Sequence, residues 1–150
     1  MNQLVAAEDL LTEAERLRVR EAITAAEKRT SGEIRVHLED HIEDEVLDHA
    51  AFIFEELGMH RTRDRNGVLI YLSVGDRKLA VIGDDAIDQR VPENFWNDVL
   101  GILKLHLAAG RAAEGLEEAV HMVGEKLGAH FPLKADDRDE LPNDVSFGRR

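Results

Sequence analysis

Val68-Leu69-Ile70-Tyr71-Leu72 and, a short way on, Leu79-Ala80-Val81-Ile82 are the stretches that decide the fold. Each stays apolar at consecutive positions, so both faces of each need cover. Strands of that kind lie in a sheet with helices on either side. Gly75-Asp76 between them is a tight-turn signal, which predicts an antiparallel hairpin in the middle of the sheet. Upstream, Glu33-Ile34-Arg35-Val36-His37-Leu38-Glu39 alternates polar and apolar strictly, the pattern of a strand with one buried face. Its polar face places it nearer an edge, or under a thinner layer.

Helical patterns surround these strands. Thr12-Glu13-Ala14-Glu15 is a capping box, and Val19, Ala22, Ile23 and Ala26 follow on one face. Val46, Ala50, Ile53, Phe54 and Leu57 form a second apolar stripe, closed by Gly58 with Met59 placed to cover it. Pro92 opens a third helix, whose face is Phe95, Val99, Ile102, Leu103 and His106 and which ends at Ala109-Gly110. Leu116, Ala119, Val120, Val123 and Leu127 mark a fourth, with Gly128 as its stop. The order α-β-α-β-β-α-α predicts an α/β fold: a three-layer α-β-α sandwich, with helices on both faces of a small mixed sheet. Residues 1–131 read as a single domain. Residues 132–150 carry no period, two prolines and the charged run Asp136–Glu140, so they read as an irregular acidic tail pinned by Val145 and Phe147.

Composition narrows the function. The 150 residues suit one domain, and a chain of this size buries roughly 68–70% of its unfolded surface. There are 31 acids against 19 Lys and Arg, a formal net charge of -12. That balance disfavours nucleic acid, whose phosphates need Lys and Arg, and an anionic membrane surface. It suits a cationic partner. The absence of cysteine excludes disulfides, thiolate metal sites and a cysteine nucleophile. The acidic N-terminus lacks the basic start of a signal peptide, and no apolar run approaches the ~20 residues that span a bilayer. The chain therefore reads as soluble and cytoplasmic.

No phosphate-binding glycine loop, zinc-protease motif or nucleophile elbow is present. The serines are Ser31, Ser73 and Ser146, none in the context of an activated nucleophile. The seven histidines lack ligand spacing: His37 and His41 are four apart, but His37 sits in a strand pattern. His106, on an apolar helix face, reads as a satisfied core histidine. Glu39, Asp40, Glu43, Asp44, Glu45 and Asp48 are six acids in ten residues with no Lys or Arg among them. They are either a solvated helix start or an attraction site for a cation or a basic partner.

The sharper cluster is Gly83-Asp84-Asp85-Ala86-Ile87-Asp88, directly after a buried strand. Loops at the carboxyl ends of strands bind ligands in open α/β sheets. Asp84, Asp85 and Asp88 offer hard oxygen ligands to Ca²⁺ or Mg²⁺, with Arg77 or Arg90 balancing charge. The alternative is that Asp84 or Asp85 caps a turn or short helix. Asn66-Gly67 reads as a turn, and Arg77 either pairs with Asp76 in the hairpin or meets an anion.

Arg65-Asn66-Gly67-Val68-Leu69-Ile70-Tyr71-Leu72-Ser73-Val74, then Asp76-Arg77-Lys78 and Val81-Ile82-Gly83, resembles the core of the TPM domain family. Ser31-Gly32-Glu33-Ile34 is similar to that family's first strand, and Gly110 with Gly115-Leu116 to a later glycine motif. The likeness runs from about Leu10 to Phe131. It implies a helix–sheet–helix sandwich. It also implies links to divalent cation binding, to acid phosphatase activity and to the assembly or repair of membrane complexes. The chain departs from the family's G-x-G-x-E pattern: Asp85 stands at the second glycine and Ile87 at the glutamate. The expected function is a binding or assembly module with a Ca²⁺ or Mg²⁺ site at Asp84, Asp85 and Asp88, assisted by Glu33, and with no organic cofactor. Two alternatives stand beside it. One is a metal-assisted phosphatase, with Arg77 or Arg90 facing phosphate. The other is a metal-free protein-interaction domain whose partner is basic or membrane-associated.

Overall fold

β2 (Gly67–Ser73) is buried at every position and forms the spine of the sheet. In this computed structural model, which describes residues 6–133 and 145–148, it pairs antiparallel with β3 (Lys78–Gly83), Ile70 opposite Val81. On its other side it pairs parallel with β1 (Glu33–Glu39), Ile34 opposite Val68. A short β4 (Ser146–Gly148) adds to β1 in parallel, His37 opposite Ser146. The strand order is β3-β2-β1-β4.

Three expectations are corrected here. The hairpin does not occupy the middle of the sheet: β3 is an edge, and β1 lies inside between β2 and β4. The polar face of β1 is not solvated either, for Glu33, His37 and Glu39 are all buried. Alternation reports which residues are polar, and a polar side chain with partners can be buried as fully as a leucine. The stretch 132–150 is also not wholly irregular, since β4 arises within it. Val145 is buried and Phe147 packs against the core, so both do pin the chain. Asp136–Glu140 lies outside the described residues.

The layers follow from strand periodicity. Ile34, Val36, Leu38, Val68, Ile70 and Leu72 point to one face, against α1 (Glu13–Glu27), α4 (Phe95–Ala108) and α5 (Ala112–His130). Leu69, Tyr71 and Ala80 point to the other, against Ala50, Ile53 and Phe54 of α2 (Val46–Glu56) and the buried Met59. The result is the expected three-layer α-β-α sandwich, with α2 the only α-helix of its layer among the described residues.

Local signals explain the element ends. The Thr12 hydroxyl accepts from the Glu15 N–H at 3.1 Å, and Glu15 accepts from the Thr12 N–H at 2.9 Å, a complete capping box. Gly58 ends α2 at φ 71°, where a side chain is disfavoured. The hairpin turn places Arg77, rather than a glycine, in the left-handed region at φ 54°. One boundary differs from expectation: α5 continues through Gly128 to His130. The residue without a Cβ there lies close to the Arg29 carbonyl, which a Cβ would meet at 3.3 Å.

Candidate functional site

The acid loop after β3 is already satisfied. Asp84 is 5% exposed, and both its oxygens meet one guanidinium: Oδ2 accepts from Arg65 Nε at 2.8 Å and Oδ1 from Nη2 at 2.9 Å. Oδ1 also accepts the Asp85 N–H at 2.8 Å, which caps α3 (Asp85–Asp88). Of the two readings of this loop, the capping one describes Asp84. The Asp84 hydrogen bonds and charge raise the pKa of Arg65 above its ordinary value. Asp85 is exposed, 3.7 Å from Arg65. Asp88 points elsewhere and accepts the Trp96 indole N–H at 2.8 Å.

Glu33 is buried at the head of β1, two strands from β3 in the sheet. Arg77 is exposed on the hairpin turn, at the opposite end of β3 from Asp84. Arg90 lies with its guanidinium 4.6 Å above the Phe131 ring, a cation–π contact. Arg77 and Arg90 therefore do not converge on one anion. Among the described residues no three His, Asp or Glu side chains are grouped so as to hold a metal ion. The expected ligand set is thus not assembled by this loop. The reason is strand direction. β3 runs antiparallel to β2, which is parallel to β1, so its carboxyl end lies at the amino ends of β1 and β2. The ligand-binding rule concerns the carboxyl ends of the parallel strands.

At those carboxyl ends a different constellation forms. β1 ends in Glu39, 1% exposed, whose Oε1 lies 3.0 Å from His49 Nε2 on α2. The other nitrogen of His49 is 3.1 Å from Asp44 Oδ2. His49 thus stands between the buried Glu39 and the half-exposed Asp44, within hydrogen-bond reach of both. Beside it, His41 Nδ1 is 2.7 Å from Asp76 Oδ1. Asp76 is itself clamped, its Oδ2 accepting the Ser73 hydroxyl at 2.6 Å and the Ile42 N–H at 2.8 Å. Those bonds, the Ser73 hydroxyl first, lower its pKa to about 2. His41, Glu43, Asp44, His49 and Phe52 line a crevice of ≈ 620 Å³. No Lys or Arg lines it.

The six-acid stretch was the only sequence signal for this place. The histidines gave none by spacing, because His41 and His49 come together only through the turn from β1 into α2. His106, by contrast, is a satisfied helix histidine, 2.6 Å from Glu118 and accepting from Arg111 at 3.3 Å.

β4 closes the inner end of this site. His37 Nδ1 is 2.7 Å from the Ser146 hydroxyl, and its Nε2 is 3.5 Å from Glu39. A Cβ on Gly148 would stand 2.7 Å from Glu39 Cγ and 3.0 Å from His37 Nε2, so the last residue of β4 must be small. Burial lowers the pKa of His37 below 6.5; Glu39 opposes that shift, while Arg35 and His49 add to it. The unfolded chain then takes up this proton at a higher pH than the folded one. The resulting stability is present above pH 6.5 and is lost as pH falls below it. Thermal melts from pH 8 to pH 5 should show a falling Tm across that window, with a smaller fall for His37→Asn. Equal slopes for the two proteins would remove His37 as the cause.

The comparisons agree with this architecture. Residues 4–126 match the family model described as TPM domain. The chain is 42% identical to the BA42 protein of the psychrophilic bacterium Bizionia argentinensis, with TM-score 0.87, covering 94% of this chain and 97% of that one. The N-terminal domain of a P. gingivalis protein shares the fold at TM-score 0.67 and 20% identity, over 87% of this chain and 96% of that one. No curated protein matches the chain. On the extent of the family match and the closeness of BA42, the chain belongs to the TPM domain family.

Proposed function

We propose that this chain is a binding module, and that its small ligand is a divalent cation received in the crevice at the carboxyl ends of β1 and β2. The observation that carries the reading is the crevice wall, where Glu43 and Asp44 present exposed carboxylates with no Lys or Arg among the lining residues. Because no three side chains among the described residues group as ligands, the fit is to a cation that keeps most of its waters and touches one or two carboxylates, as Mg²⁺ commonly does. The Asp84 loop offers less, since Arg65 already occupies its buried carboxylate. The same wall speaks against a phosphomonoester as substrate, because a phosphate dianion would face carboxylates with no Lys or Arg to offset them.

Titration with Mg²⁺ and Ca²⁺, followed residue by residue by NMR, tests this. Shifts are expected at His41, Asp44 and Phe52, weakened by Asp44→Asn. A bound cation at 100-fold saturation adds about 2.7 kcal/mol to stability, which a melt detects. Shifts confined to 84–90 would return the site to the loop after β3. Chelator-sensitive turnover of a phosphomonoester, lost in Asp44→Asn, would replace the binding reading with the hydrolytic one.

A further inference from the structure

α2 covers the sheet with one face only, and its outer face is not the polar surface that a solvated helix carries. Leu47 is 56% exposed and Phe52 51% exposed, and Ala51 is exposed beside them. On a helix, residues four apart are neighbours. The outer face is therefore two adjoining rows, Leu47-Ala51-Glu55 and Asp48-Phe52-Glu56. Its apolar centre is Leu47, Ala51 and Phe52. Its rim is acidic at both ends, with Asp44 and Asp48 toward the start of α2 and Glu55 and Glu56 toward its end, all exposed. No Lys or Arg occurs between Arg35 and Arg61, so nothing in this segment offsets that charge.

We infer that the outer face of α2 is a docking surface for a basic amphipathic helix of another protein. This rests on the reading of the chain as a binding module but not on the cation crevice. Apolar side chains of the partner cover Leu47, Ala51 and Phe52, and its Lys or Arg side chains meet Asp44, Asp48, Glu55 and Glu56. An exposed apolar patch with a polar rim is the usual anatomy of such a surface. Charge selects the occupant. A second copy of this chain would bring the same carboxylates to the contact, on a protein of net charge -12. An anionic lipid surface is repelled for the same reason. A cationic helix is attracted before contact and fits the groove mode of recognition once there.

The probe is a synthetic Leu/Lys helix with leucines on one face, added to the full chain and followed by NMR. A Lys/Ser helix of equal charge is the control. Binding of the Leu/Lys helix with shifts mapping to 44–56 is expected, weaker at high salt. Leu47→Ser and Phe52→Ser should each weaken it about tenfold, and Leu47→Ser, outside the crevice lining, should leave the melting temperature and the Mg²⁺ shifts in place. Equal binding by the Lys/Ser control, or no loss in either variant, would overturn the inference. So would peptide-free self-association that Phe52→Ser abolishes, because the occupant would then be a second copy. The cation reading fails separately: loss of the Mg²⁺ response with peptide binding intact leaves this surface standing.

Discussion

Glu39→Ala is expected to lower stability by about 1–3 kcal/mol, the usual cost of leaving a buried hydrogen-bonding group without its partner. Glu39 is 1% exposed, and its Oε1 accepts from His49 Nε2 at 3.0 Å. Alanine removes that acceptor while His49, itself 4% exposed, stays in place. The imidazole then keeps its desolvation cost without the carboxylate that offset it. The truncation also empties space that Gly148 and His37 now close against. Urea denaturation checks the number. Glu39→Gln, which keeps the shape and a carbonyl oxygen for His49, should cost clearly less. If the two variants lose stability equally, the hydrogen bond to His49 contributes little and volume alone explains the loss.

Leu127→Ala, in the opposite layer, is expected to cost about 2–5 kcal/mol through lost burial and the cavity left behind. Leu127 is fully buried on α5. It packs so tightly on the chain entering β1 that a Cβ on Gly32 would stand 2.7 Å from its Cδ2. A glycine backbone cannot refill the space, because it has no side chain to move. At roughly 2–4 °C per kcal/mol for a domain of this size, Tm should fall by about 10 °C. Leu105, 62% exposed on α4, is the control. Leu105→Ala should change stability by no more than about 0.5 kcal/mol. A similar drop in both variants would mean that helix propensity, not core packing, sets the loss.

The two substitutions also mark how differently the core and the site could be read. Leu127 falls on an apolar stripe at helical spacing, so its burial was legible from α5 alone. Glu39 was legible as an acid at the end of an alternating strand and as a member of an acidic run. Neither pattern says that it is among the most buried side chains in the protein, because a charged residue is buried only when partners arrive from elsewhere. Those partners are His49, ten residues on along α2, and His37, whose own place is set by Ser146 from β4. The Asp84 loop illustrates the reverse. Three carboxylates in five residues looked like a ligand set. Arg65 supplies a bidentate partner from across the sheet end, held there by a left-handed backbone at φ 52°.

Periodicity by itself determined the four long helices, the three long strands and the sandwich, because burial of apolar faces is dictated by residues adjacent on one element. Strand order, the parallel pairing of β1 with β2, and the closing of β4 onto His37 were decided only in three dimensions. They depend on backbone pairings between distant segments, which leave no local trace in the amino-acid pattern. The crevice belongs to that second group: it exists because two parallel strands end side by side and α2 begins beside them.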